Sequence, residues 1–255
     1  MQKKNGTTPH RPSIYALDPW TPGKPNDQRR YQLLSPEEQM RLATIASIMR
    51  FRKGELIYRQ GDEVKAVFNI VTGVVKACQG VGPTDEHIAA FLYPQDLFGL
   101  SEEGRYVCSV RAVTSVTVYA LPISALRRHL SSDAQLDYNV VVKLCHELRE
   151  AQRHALLLAQ RHALTRIAMF LQLQEQHQSI LDEASDEIYL PMTRSDIADF
   201  IGISLPAVSR AFRELTTRHV VKFVDRQHLL IADRPAFDAL TRNLPSRGQL
   251  AANEA

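Results

Sequence analysis

The 255-residue sequence holds only three cysteines, Cys78, Cys108 and Cys145, scattered with no CxxC pair. That usage argues against a disulfide framework and a cysteine-rich zinc site and points to a reducing, cytoplasmic setting. Each thiol reads first as a small buried hydrophobe. No apolar run approaches a membrane span, and the polar N-terminus lacks the apolar core of a signal peptide. Charge of one sign is also missing: 31 Lys+Arg against 28 acids leave a net +3, which neither requires nor excludes a nucleic-acid partner. Catalytic signatures are absent too, with no P-loop, nucleophile motif or paired carboxylates, so no enzymatic role is expected. Between Phe51 and Pro122 His87 is the only histidine, too few for the histidine and carboxylate cluster of a metal-binding β-barrel.

What is present is organised around TRSDIADFIGISLPAVSRAFRELTTR, residues 193–218. Thr193 is a helix N-cap with Asp196 three residues on as a capping-box partner. Ile197, Ala198 and Ile201 give an apolar stripe at helical spacing, and Gly202 stops the helix. Ser204 caps a second helix with Pro206 in its first turn, where the missing N–H costs little. Val208, Phe212 and Leu215 face inward. A small residue at the crossing, a glycine four later and a valine six beyond that glycine together predict a helix-turn-helix, whose second helix fits the DNA major groove.

In chain order, residues 1–30 hold five prolines (Pro9, Pro12, Pro19, Pro22 and Pro25) and six Lys/Arg against two acids. Such a tail cannot bury enough apolar surface to offset its ordering entropy, so disorder is expected. Local docking of Trp20 and contact of the basic tail with DNA both stay open. Residues 35–49 read as a short helix capped by Ser35, with Leu42, Ile45, Ile48 and Met49 as its apolar side. Residues 31–132 form a first domain, dominated from Phe51 to Pro122 by short β-rich runs: ELIYRQ, AVFNIV, GVVKACQ, HIAAFL, YVCSVRA and SVTVYAL. Turn residues separate them, the pattern of a β-sandwich, jelly roll or barrel, with Gly54, Gly61 and Gly73 at positions of positive φ or close approach.

Residues 133–159 form the longest helical pattern. Val141, Leu144, Leu148, Ala151, Ala155 and Leu158 keep a 3-4 spacing, an uninterrupted seam for a two-fold dimer. Val142, Cys145 and Leu156 supply a second apolar side for the helix's own domain. His146 and His154 nearby read as satisfied surface groups. Residues 160–240 make a second domain: a helix at 162–176, a polar loop, a short strand, the two-helix stretch, and VVKFVDRQHLLIA as a hairpin wing. A flexible tail, 241–255, closes the chain.

The order of β-roll, long helix and winged helix-turn-helix resembles the cyclic AMP receptor protein/FNR superfamily of bacterial transcription regulators. The resemblance is carried by KGELIYRQGD (53–62), TGVVK (72–76), PQDLFGL (94–100), LTRIAMFL (164–171) and LPMTRSDIADFIG…VSRAF (190–212). The last motif is closer to the FNR and FixK-like branches. The resemblance implies an α+β chain: an N-terminal jelly-roll-like β-roll of the cyclic-nucleotide-binding kind, a long dimerisation helix and a C-terminal winged helix-turn-helix. It also implies a homodimer on inverted-repeat double-stranded DNA, with RNA polymerase as partner if the protein is an activator.

Two departures limit it. Where cyclic-AMP members hold phosphate and ribose with Gly-Glu and Arg-Ser pairs, this chain has Gly99-Leu100 and Tyr106-Val107. Burying a phosphate without a basic partner costs several kcal/mol, so cAMP is not expected here. The N-terminus has no cysteine, so an FNR-type 4Fe-4S cluster is not expected either. A histidine-held haem, a thiol response at Cys78, Cys108 or Cys145, or no ligand at all stay open. The rivals are a metal-dependent β-barrel enzyme fused to a DNA-binding domain, and a cyclic-nucleotide sensor with a rebuilt pocket.

In the resembling proteins the outward first turns of the second helix read bases; here those positions are Ser204, Leu205, Pro206, Ser209, Arg210 and Arg213. Arg210 has the two parallel donors that match guanine O6 and N7. Pro206 stands where the family usually places a glutamate that accepts from cytosine, so the half-site is expected to differ there. Thr193 and Arg194, at a helix N-terminus, are expected at a phosphate. Arg213, Arg218, Lys222 and Arg226 are further phosphate candidates.

Overall fold

The computed structural model describes residues 11–12, 15–17, 30–80, 86–178 and 187–242. Most of the segment expected to be disordered, Trp20 included, lies outside these residues, as do the tail from 243 and most of the polar loop expected at 177–187, whose ends belong to a helix and a strand. Within 1–30 one strand is described, β1 (Tyr15–Leu17), paired with β2 (Arg30–Gln32), an ordered piece that the proline-rich composition does not suggest. The chain divides into two compact units: residues 31–79 with 91–143, and residues 86–90 with 144–242.

The first unit begins with α1 (Pro36–Ile45), started by a complete capping box. The Ser35 hydroxyl accepts from Glu38 N, and the Glu38 carboxylate accepts from Ser35 N at 2.6 Å. The sequence pattern carries this helix to Met49, but the structure ends it at Ile45 and makes Ser47–Phe51 a strand, β3. Pairing decides this: β3 lies antiparallel to β10 (Val116–Pro122), with Phe51 opposite Val116 and Ser47 opposite Ala120. A full strand of partners overrides a helical spacing that continues only a turn further. Ile48 and Met49 are accordingly exposed, not part of a helix's inner side.

Between them run β4 (Leu56–Tyr58), β5 (Ala66–Thr72), β6 (Val75–Gly80), β7 (Glu86–Leu92), β8 (Leu97–Phe98) and β9 (Ser109–Ala112). They form two four-stranded sheets, ordered β3-β10-β5-β8 and β4-β9-β6-β7. Val67, Ile70, Val75, Val110 and Val118 are buried in this unit's core. Gly54, Gly61 and Gly73 all have positive φ. At Gly73 space matters as well, because a Cβ there would lie 2.3 Å from the Ser115 carbonyl oxygen. Two short elements were not legible in the sequence. One is β8, inside what reads as a turn, and the other is α2 (Ile123–Ser132), whose Leu126 joins Leu34, Leu42, Val67, Leu121 and Leu136 in one apolar cluster.

The long helix α3 spans Ala134–Leu158. A buried ion pair ties its first half to the β-roll: Lys143, 1% exposed, puts Nζ 2.8 Å from Asp96 Oδ1. Asp96 sits in the Pro94–Asp96 turn, held through its other oxygen by Tyr93 N and through its carbonyl by Ile70 N and Asn69 Nδ2. Gln95, at φ 76, adopts the left-handed conformation that the turn requires.

The second unit holds α4 (Ala163–Gln178), β11 (Glu187–Tyr189), α5 (Arg194–Phe200), α6 (Leu205–Thr217), β12 (Val221–Phe223), β13 (His228–Ile231) and α7 (Arg234–Thr241). Its three strands make one antiparallel sheet, β11-β13-β12. Helix α4 is buried over Ile167–Leu171, where it supports α6, α7 and β11.

Removing one member of a buried ion pair leaves the other charge uncompensated. Lys143→Met is therefore expected to destabilise the folded protein by about 3–5 kcal/mol. Urea unfolding of the variant beside the wild type measures this.

Candidate nucleic-acid interface

Local hydrogen bonds at its two caps shape the helix-turn-helix. Thr193 Oγ1 accepts from Asp196 N, and Asp196 Oδ2 accepts from both Thr193 N and Thr193 Oγ1. Gly202 turns the chain at φ +66, and Ser204 then caps α6 by accepting from Ala207 N. Ile197, Ala198, Ile201, Val208, Phe212 and Leu215 are all buried, so every inward position of the motif packs in the core.

The outward row of α6 is exposed along its length: Ser204, Leu205, Pro206, Ser209, Arg210 and Arg213. Leu205 is 47% exposed, an apolar side chain held in water. Ser209 donates its hydroxyl proton to the Leu205 carbonyl at 3.1 Å, which leaves its oxygen lone pairs facing outward. Among the described residues Arg210 and Arg213 make no ion pair, whereas Arg218 pairs with Glu214 one turn back. On the wing, Lys222 and Arg226 are exposed, and the turn is fixed by Asp225, which accepts from the N–H groups of Gln227 and His228. Those hydrogen bonds hold the Asp225 carboxyl below its ordinary range.

Thr193 and Arg194 are differently engaged in the free protein. Thr193 is exposed, but its hydroxyl is committed to Asp196, whose carboxylate sits over the same helix end that a phosphate would approach. Arg194 folds back over two aromatic rings, its guanidinium carbon 3.5 Å from the Phe212 centroid and 5.1 Å from that of Phe223. Cation–π attraction thus binds the start of α5 to α6 and to the wing strand β12. Burial lowers the Arg194 pKa to about 10, so it stays charged at neutral pH. Its Nη1 is buried with no hydrogen-bond partner among the described residues.

Arg166 is a contact that no spacing in the sequence marks. Its Nε donates to the Gln160 carbonyl at 2.7 Å, Nη2 to that of Leu158 at 2.9 Å, and Nη1 to those of Ile201 and Gly202, both at 2.9 Å. His154 on α3 lies flat on Phe200, ring centroids 4.0 Å apart, and donates through Nε2 to the Phe200 carbonyl. Sequence pattern alone puts His154 and His146 at the surface, but His146 is buried and His154 partly so. Of the expected second apolar side of α3, Val142 is buried, whereas Cys145 and Leu156 are exposed; Lys143, His146 and Arg153 take inner positions instead. The seam residues Val141, Leu144, Leu148, Ala151, Ala155 and Leu158 all face outward, with Leu148 61% exposed.

The interior of the β-roll holds a cluster of rings. Tyr58 stacks on Tyr106 at 3.7 Å between centroids, and Phe68 and Phe98 complete a buried cluster. The Tyr106 hydroxyl donates to the Ala66 carbonyl at 2.8 Å and accepts from Ala66 N. A Cβ on Gly99 would meet Tyr106 and Phe68 within 3.3 Å. These rings supply no cation for the phosphate of a cyclic nucleotide, and the Tyr106 hydroxyl is already bonded to Ala66. Cys108 hydrogen-bonds Tyr58, and burial pushes its thiol above the ordinary range, away from the reactive thiolate. His87 bonds Asp199 through Nδ1 at 2.8 Å. Among the described residues no three histidines, cysteines or carboxylates are grouped to hold a metal ion, and no helix is long and apolar enough to cross a membrane.

Two family models match the chain, "Cyclic nucleotide-binding domain" over residues 48–133 and "Crp-like helix-turn-helix domain" over 165–240. The nitrogen fixation regulation protein FixK of Azorhizobium caulinodans is 31% identical over 78% of this chain and 81% of its own length. The chain belongs to the CRP/FNR family of transcription regulators. FixK of Bradyrhizobium diazoefficiens is another relative of this regulator, 29% identical over 69% of the chain and 74% of that protein. Among solved structures, FixK2 from Bradyrhizobium japonicum is 28% identical with a TM-score of 0.71, covering 77% of this chain and 98% of that one. The α+β arrangement read from the sequence is therefore the arrangement found, and this CRP/FNR member is a DNA-binding regulator through its helix-turn-helix.

Burial lowers the pKa of His154, so the folded state binds its proton less readily than the unfolded chain. Its contribution is complete above the unfolded value of about 6.5 and is lost as pH falls through the folded pKa. Urea midpoints are expected to drop from pH 7 to pH 5 more in the wild type than in His154→Phe, which keeps the stack on Phe200.

Proposed function

We propose that this CRP/FNR regulator acts in the cytoplasm as a homodimer that reads an inverted-repeat operator, one α6 helix per half-site. The observation that carries the reading is the exposed row Ser204, Leu205, Pro206, Ser209, Arg210 and Arg213 on a helix whose other side is fully buried. Arg210 is the base reader: exposed on the second turn, it can donate twice to guanine O6 and N7. Leu205 and Pro206 offer no donor or acceptor, so they pack on a thymine methyl and shift the preferred base at that position. Arg213, Arg218, Lys222 and Arg226 take phosphates, with Thr193 and Arg194 at the flank; Arg194 would have to turn its free Nη1 toward the backbone without leaving its rings.

The seam on α3 supports the dimer. Six a/d residues face outward, and a second copy is the partner whose matching seam covers them. Two recognition helices would then lie about 34 Å apart, one DNA turn. The aromatic cluster of the β-roll supports a regulator that does not take cAMP. RNA polymerase is the further partner if the operator lies where contact activates.

Arg210→Ala is expected to lose about 1–3 kcal/mol of discrimination at one base pair and to leave the dimer intact. Selection from random DNA reads this, and an unchanged selected site would remove Arg210 from the role. Leu148→Asp with Ala155→Asp sets like charges across the seam. Sedimentation of that variant should show monomers and operator binding should fall; persistent dimers would refute the seam.

A further inference from the structure

We propose that Arg166 is the positioning residue that sets the half-site spacing this regulator accepts, by locking the helix-turn-helix to the end of α3. The proposal rests on the dimeric reading above. Arg166 reaches three separate stretches at once: the last residue of α3 (Leu158), the connection to α4 (Gln160) and the turn between α5 and α6 (Ile201 and Gly202). Helix-end carbonyls lack intrahelical donors, and here one guanidinium satisfies those of α3 and α5 together. Its positive charge also faces the negative ends of both helix dipoles.

Only a planar fork with several fixed donors can do this. A lysine places all its protons on one nitrogen and cannot meet carbonyls on three sides. Gly202 belongs to the same device. A Cβ there would lie 3.3 Å from Arg166 Nη1 and 3.3 Å from Leu158 Cδ2, so the glycine that permits the turn also admits the guanidinium. Ser204 follows two residues later, so any shift of this turn displaces the whole exposed row of α6. A single half-site does not sense that shift. Two half-sites read by copies joined along α3 do, because the angle of each recognition helix to the seam fixes the distance between them.

The test uses the full chain with Arg166→Met and Arg166→Lys. An operator is first selected from random DNA by the wild type. Affinities are then measured for that operator, for versions with one base pair inserted or removed at its centre, and for an isolated half-site; sedimentation and helicity report dimer and fold. The wild type should lose about tenfold or more with altered spacing. Arg166→Met should lose less than about threefold, with half-site affinity within about twofold of wild type. Arg166→Lys should fall between, and it carries the comparison alone if the methionine variant does not fold. A wild-type spacing penalty in a folded, dimeric variant overturns the proposal. Selection of single half-sites by the wild type overturns the dimeric reading instead, before any variant is made.

Discussion

The face that α3 turns outward is more apolar than the face it buries. Val141, Leu144, Leu148, Leu156 and Leu158 stand in solvent while Lys143, His146 and Arg153 are enclosed. A helix in a lone globular chain shows the opposite arrangement. On its inner side the two enclosed cations are matched by acids. Lys143 meets Asp96, and Arg153 meets Glu150, whose other oxygen faces His177. The helix thus holds its own chain partly through charged residues and leaves Val141, Leu144, Leu148, Leu156 and Leu158 exposed, the face that the proposed dimer would cover.

The interior of the β-roll is filled by its own side chains. In the Pro94–Asp96 turn the acid pairs with Lys143 on α3. Tyr58, Phe68, Phe98 and Tyr106 fill the interior, giving the roll a core of its own. The roll also fixes α3 through a buried charge, the kind of contact whose geometry tolerates little drift.

Much of the DNA-binding half is local and therefore legible. Thr193 with Asp196, Gly202, and Ser204 with Pro206 act within a few residues of themselves, so their spacing alone specifies two helices and a turn. The inward positions Val208, Phe212 and Leu215 follow from the same period. The strand β3 was hidden for the converse reason: its five residues continue a helical spacing, and only the partner β10, far along the chain, makes them extended. The roles of Arg194 and Arg166 were hidden likewise, since an arginine in a helix looks the same in sequence whether it meets a ring, a carbonyl or water.

By itself the sequence determined the family, the succession of β-roll, long helix and winged helix-turn-helix, and the row of α6 that faces outward, because caps, glycines and periodicity act over short range. Only the tertiary structure decided what those elements are fastened to. Arg194 is drawn onto Phe212 and Phe223, Arg166 onto four carbonyls, and Lys143 onto Asp96. Each joins separate elements, and burial of the Lys143–Asp96 pair strengthens a charge interaction that water would otherwise screen.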